Sequence, residues 1–154
     1  MGAPVSTTPT AAATQLAAAL QAARTSLVGL EHRAIAAPAA ADPDELTSIR
    51  DQMAGIAASL EAASGLDRPR ARFEQQVAGP QLSWRTDLTP LVRGSFDQAD
   101  EAVRMLMGAA NGPQRLLGDE RSPEHVLLAT VARQAERRMD AAQDTLRTSR
   151  LLID

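Results

Sequence analysis

Apolar residues recur at alternating steps of three and four in four separate stretches of this 154-residue chain. Leu16, Leu20, Ala23, Leu27, Leu30 and Ala34 make the first series, and Leu46, Ile49, Met53, Ile56 and Leu60 the second. Phe96, Ala99, Val103, Leu106 and Ala110 make the third, and Leu128, Val131, Ala135, Met139, Ala142, Leu146, Ser149 and Ile153 the fourth. That spacing follows the turn of an α-helix and sets each series on one face. The chain is rich in Ala, Leu, Arg, Glu and Gln, all strong helix formers. Tyr is absent and Val, Ile and Phe are sparse, so strands have little to build from. An all-α fold follows.

Punctuation divides the chain further. Residues 1–8 are small and polar, with Pro4, and read as a disordered leader. Thr8 and Pro9 supply an N-cap and a first helical position, and Pro38 ends that helix near Ala37. Asp42, Pro43, Asp44 and Glu45 open the second helix with a cap, a first-turn Pro and acids at the positive helix end, and Gly65 closes it. The short Ala/Pro linker between them predicts an antiparallel hairpin over 9–65. Residues 66–94, broken by Pro and Gly, read as an irregular linker with a short helix from Pro69 to Ala78. Ser95 followed by Gln98 reads as a capping box for a third helix to about 110. Asn111-Gly112-Pro113 terminates it, and a connector follows with one turn around Leu116 and Leu117. Ser122-Pro123-Glu124 then opens an uninterrupted C-terminal helix with a cap, a first-turn Pro and an acid. Residues 95–154 thus form a helical C-terminal region.

Composition removes several function classes. There is no Cys, hence no disulfide framework and no thiol nucleophile, and two His cannot build a multi-imidazole zinc site. All 16 basic residues are Arg against 19 acids, a net charge of −3 that disfavours general nucleic-acid binding. No apolar run is long enough to span a membrane. The N-terminus carries no cleavable signal pattern, so the chain is expected in the bacterial cytoplasm when made, with any export following another route.

Candidate chemistry is thin. His32 adjoins Glu31 and His125 adjoins Glu124, but neighbours on a helix point apart, so neither pair is a dyad. Asp42, Asp44 and Glu45, and likewise Asp119 and Glu120, are explained by helix capping. Arg68, Arg70, Arg72, Arg85 and Arg93, interleaved with Phe73 and Trp84, read as a solvated or protein-binding segment. Arg133, Arg137 and Arg138 match Glu136, Asp140 and Asp144 as an ion-paired outer helix face. There is no phosphate loop, nucleophile elbow or zinc-protease motif. The expectation is a protein without catalysis, cofactor or small-molecule substrate.

The fourth apolar series is the candidate interaction site. Ala135, Ala142 and Ser149 lie seven apart, and small residues at that spacing admit another helix. The series could pack on the hairpin of the same chain or on copies of itself, as in a coiled coil. From Ser122-Pro123-Glu124-His125-Val126-Leu127-Leu128 through Ala142, Leu146 and Ile153, the C-terminal third resembles type III secretion inner-rod proteins and, more distantly, the flagellar rod-adaptor protein. The resemblance implies a structural subunit of a bacterial secretion apparatus that self-assembles through its C-terminal helix with other apparatus proteins. The competing expectation is a compact helical chaperone or adaptor whose fourth series is buried within the monomer.

Overall fold

The computed structural model describes residues 9–36, 43–64, 89–119 and 121–153, and among them every regular element is a helix. The helices are α1 (Pro9–Ala36), α2 (Pro43–Ser64), α3 (Thr89–Asn111), α4 (Pro113–Leu117) and α5 (Glu124–Ile153). α1, α2, α3 and α5 form a four-helix bundle in which each packs mainly on its two chain-order neighbours, with α5 closing the ring onto α1. Cross-helix contacts give the directions. Gln143 Nε2 donates to Gln21 Oε1 (3.2 Å) while Arg133 reaches Glu31, so α1 and α5 are antiparallel. Ser95 reaches Ala142 while Arg138 reaches Gln98, so α3 and α5 are antiparallel as well.

The first apolar series is buried throughout, from Leu16 to Ala34. In the second, Ile49, Met53 and Leu60 are buried, whereas Leu46 and Ile56 are half-buried and Ala57 turns fully inward. Phe96 is the largest fully buried side chain, joined on α3 by Val92, Ala99, Ala102, Val103, Leu106 and Ala109. α3 and α5 share the broadest interface. Ala99 and Ala102 face it from α3, and Ala135 and Ala142 from α5, all at zero exposure. Small side chains bring the two backbones near enough for the Ser95 hydroxyl to reach the Ala142 carbonyl (3.1 Å), and it also lies 3.2 Å from its own Leu91 carbonyl.

Three expectations change. The third helix starts at Thr89 rather than Ser95, so residues 89–94 belong to the bundle and not to the linker. Pro90 falls in the first turn, where its missing N–H costs nothing. Ser95 is therefore no cap but an interior residue bonded across the seam. Ser122 does not cap α5 either: its hydroxyl donates to Asp119 Oδ2 (2.7 Å), and the Pro123 carbonyl receives the first helical N–H groups, from Val126 (3.1 Å) and Leu127 (3.2 Å). The leader, the capping residues Thr8 and Asp42, Arg68 to Arg85 and Trp84 lie outside the described residues. α2 holds its expected span, and the short turn around Leu116 and Leu117 is present as α4.

Replacing Ala142 by Asp would put a carboxylate without a cation partner into the α3–α5 seam. The Ala142→Asp chain is expected to lose about 3 kcal/mol or more of unfolding free energy in a urea titration. An unchanged midpoint would show that α3 and α5 do not meet in solution in this way.

Candidate functional site

The C-terminal apolar series is core in this chain. Leu128, Val131, Ala135, Met139, Ala142 and Leu146 are all between 0 and 2% exposed, covered by α1 and α3. The backbones of Ser149 and Ile153 continue α5, while their side chains lie outside the described part. In the folded monomer the six described members of the series therefore face the helices of the same chain. The 3–4 spacing is satisfied by the helices of the same chain.

What remains exposed lies elsewhere. Among the described residues the large apolar side chains left open are Ile35 (51%), Val126 (44%), Met107 (40%) and Leu116 (40%). All four map to one end of the bundle. With Glu31 opposite Arg133, Ile35 falls near the start of α5, where Val126 sits. With Gln98 opposite Arg138, Met107 falls at the same level. Leu116, on α4, packs over Gly108, where an added Cβ would come within 2.9 Å of Leu116 Cδ1. Ile35 and Val126 line one shallow depression of about 210 Å³, completed by His125, Ala129, Thr130 and Arg133.

The loop that shapes this end is held by Asp119. Its Oδ1 accepts from the backbone N–H of Arg121 (2.9 Å) and of Ser122 (3.1 Å), and its Oδ2 from the Ser122 hydroxyl. Those donors, the hydroxyl foremost, hold the Asp119 carboxyl below its ordinary range. Asp119 is therefore a turn staple rather than a helix cap. Gly118 ends α4 in the left-handed region at φ 67°, which lets the Asp119 N–H reach the Gln114 carbonyl (3.0 Å).

Charges tie helices to each other more than they decorate one face. Arg24 on α1 pairs with Asp140 on α5 (2.5 Å), Arg133 with Glu31 (3.4 Å) and Arg33 with Glu45 (2.8 Å). Arg50 on α2 pairs with Glu124 in the first turn of α5 (3.3 Å). Arg133 and Asp140 thus serve the α1–α5 seam, not the intrahelical pairing expected of them, because both stand beside a neighbouring helix. Arg93 lies on exposed α3 surface. His32 is exposed on α1 and His125 lines the depression, so nothing here joins the two imidazoles in one site. Among the described residues no group of three or more His, Asp or Glu is placed to hold a metal ion, and no helix is long and apolar enough to cross a membrane.

The open apolar positions were missed in the sequence because they fall outside the four series. Ile35 follows Ala34 by one residue and Val126 precedes Leu128 by two, each off the buried face. Large aliphatic residues off the stripe near helix ends were the available signal. Comparison with family models, curated proteins and solved structures finds no match for the chain.

Substituting Gly118 by Ala forces a Cβ into the left-handed region at the end of α4. The Gly118→Ala chain is expected to be less stable by about 1–2 kcal/mol in chemical denaturation, with faster amide exchange in the Asp119–Ser122 turn. Unchanged exchange there would mean that this turn does not depend on the α4 terminus.

Proposed function

We propose that this chain is a non-enzymatic helical adaptor or chaperone that binds another protein through the end of the bundle bearing Ile35, Val126, Met107 and Leu116. One observation carries this reading: the four large apolar side chains left open among the described residues gather at one end, while the C-terminal series is consumed by the core. Exposed apolar groups cost little singly, but their gathering at one place is the usual mark of a contact surface. The depression beside Ile35 and Val126 offers an apolar floor with His125 and Arg133 at its edge, a fit for an aliphatic anchor with an acidic neighbour.

The resemblance of residues 95–154 to type III inner-rod proteins favours a secretion-apparatus setting for such a partner. Self-assembly through Leu128 to Ile153, the role that resemblance implies, would require α5 to leave α1 and α3 first. In the adaptor role the chain keeps its own fold and offers only the loop end.

Two measurements separate the roles. Light scattering after size exclusion is expected to give one mass over a wide concentration range at constant helicity. A mass climbing with concentration would restore assembly through α5. A photo-reactive residue at position 126 is expected to cross-link another polypeptide in cells, an adduct removed by Ile35→Glu, while one at position 134 on the bundle flank gives none. Ile35→Glu leaves the fold intact to within about 0.5 kcal/mol, as for other exposed positions. Equal adducts from 126 and 134, or none from 126, would reject the loop end as the contact.

A further inference from the structure

A groove runs between α1 and α2, away from the loop end. Ala19, Ala22 and Ser26 on α1 and Gly55, Ile56 and Ser59 on α2 line about 510 Å³ of space. Ala22, Ser26, Gly55 and Ser59 are exposed. Neither wall carries a charge. Before Glu31, α1 has Arg24 alone, which turns to Asp140 on α5, and α2 has no charged residue from Gln52 to Leu60. A helix face that meets only water ordinarily bears charged side chains. Gly55 points the same way. A Cβ there would meet nothing within 4 Å, so the bundle itself does not need this position small. Glycine inside a helix costs stability relative to Ala, and a close approach from outside the bundle offsets that cost.

The chain itself supplies a cover. Residues 65–88 join Ser64 to Thr89 and lie outside the described residues. Arg33 near the end of α1 meets Glu45 near the start of α2, so these helices are antiparallel. α1 and α3 both run against α5, so Ser64 and Thr89 sit at the same end of the bundle. Neighbouring helices in bundles are ordinarily joined by about 2–8 residues, and this connection is much longer. It leaves from α2, which is one wall of the groove. Along α2, Ser59 stands about 7.5 Å back from Ser64 and Gln52 about 18 Å. The nine residues from Ser64 to Phe73 reach up to about 30 Å, which covers the whole groove. Trp84 is tied within about 17 Å of Thr89, on the helix that flanks α2 on its other side.

We propose that the first half of this connection folds back over the α1–α2 groove, with Phe73 and Val77, four apart and on one face at helical spacing, packed against Ala22, Gly55 and Ser59.

Large side chains then fill what small ones leave, as Phe96 does in the core of the bundle. The tether favours this occupant. A segment joined to α2 meets the groove at a high effective concentration, which a second copy or a separate protein must exceed. The contact is independent of the loop end, which lies at the other end of α1.

The chain has no Cys, so a spin label on an introduced one has a single site. The label goes on Ala18→Cys, exposed beside the α1 wall, in the full-length isotope-labelled chain. The amide signals of residues 70–78 are expected to broaden strongly and to recover when the label is reduced. A label on Gln134→Cys, on the bundle flank, should leave them sharp. Equal broadening from both positions, or none from Ala18→Cys, would overturn the proposal. So would broadening in a mixture of spin-labelled chain with separate isotope-labelled chain, which would assign the groove to a second copy. Gly55→Arg places a long charged side chain in the groove, and Phe73→Ala removes the anchor without touching the bundle. Each is expected to abolish the broadening from Ala18→Cys while helicity is kept. Broadening that persists in Phe73→Ala would overturn the assignment of the anchor, whatever Gly55→Arg does to the fold.

Discussion

The close approach of α3 and α5 is the condition on which the bundle rests. A chain with one Trp, two Phe and no Tyr cannot fill wide gaps between helices with bulk. It must bring backbones together, so that each small side chain still finds neighbours on all sides. Ala99 and Ala102 on one helix and Ala135 and Ala142 on the other make this possible, and Ser95 uses the proximity by donating to a carbonyl of the facing helix. That carbonyl already serves the α5 ladder and accepts the serine with its second lone pair. Phe96 and Met139 then fill what the alanines leave.

The polar seams have a different task. Pairs such as Arg24–Asp140 and Arg33–Glu45 are more than a third exposed on both partners, and each contributes at most about 1 kcal/mol. Their value lies in register. Gln21 with Gln143, Arg24 with Asp140 and Glu31 with Arg133 fall along one antiparallel line, and sliding α1 by a turn would mismatch all of them. An alanine-rich interface discriminates poorly between registers, because one methyl resembles the next. The charged edge supplies the distinction.

Much of this was legible in the residues. The α1 series from Leu16 to Ala34 is buried as spaced, and α2 begins at Pro43 and ends at Ser64, where Pro and Gly punctuation put its limits. The start of α3 was not, since Pro90 and Gly94 look like breakers although the first falls in a first turn and the second is carried by flanking Val92 and Phe96. Ser95 followed by Gln98 imitates a capping box, and only the position of α5 shows what the hydroxyl serves. The charges of α5 have partners at intrahelical spacing and others across the seam, and spacing along one helix cannot rank them. The same limit applies to Leu128 through Leu146: a 3–4 series has one form whether its cover comes from the same chain or another copy. The open loop end fell outside every series and so escaped a search built on periodicity.

The ring of helices closes with α5 against α1, which is made well before it. Gln21 meets Gln143 and Glu31 meets Arg133, contacts that span 122 and 102 residues. During synthesis α1 and α2 emerge with their inward faces ready, yet α1 cannot be fully covered before α5 leaves the ribosome. Closing so long a loop is also slow relative to forming local turns. The nascent chain therefore passes through an interval in which the leucine face of α1 is open to whatever else binds apolar helices, and the emergence of α5 brings the burial.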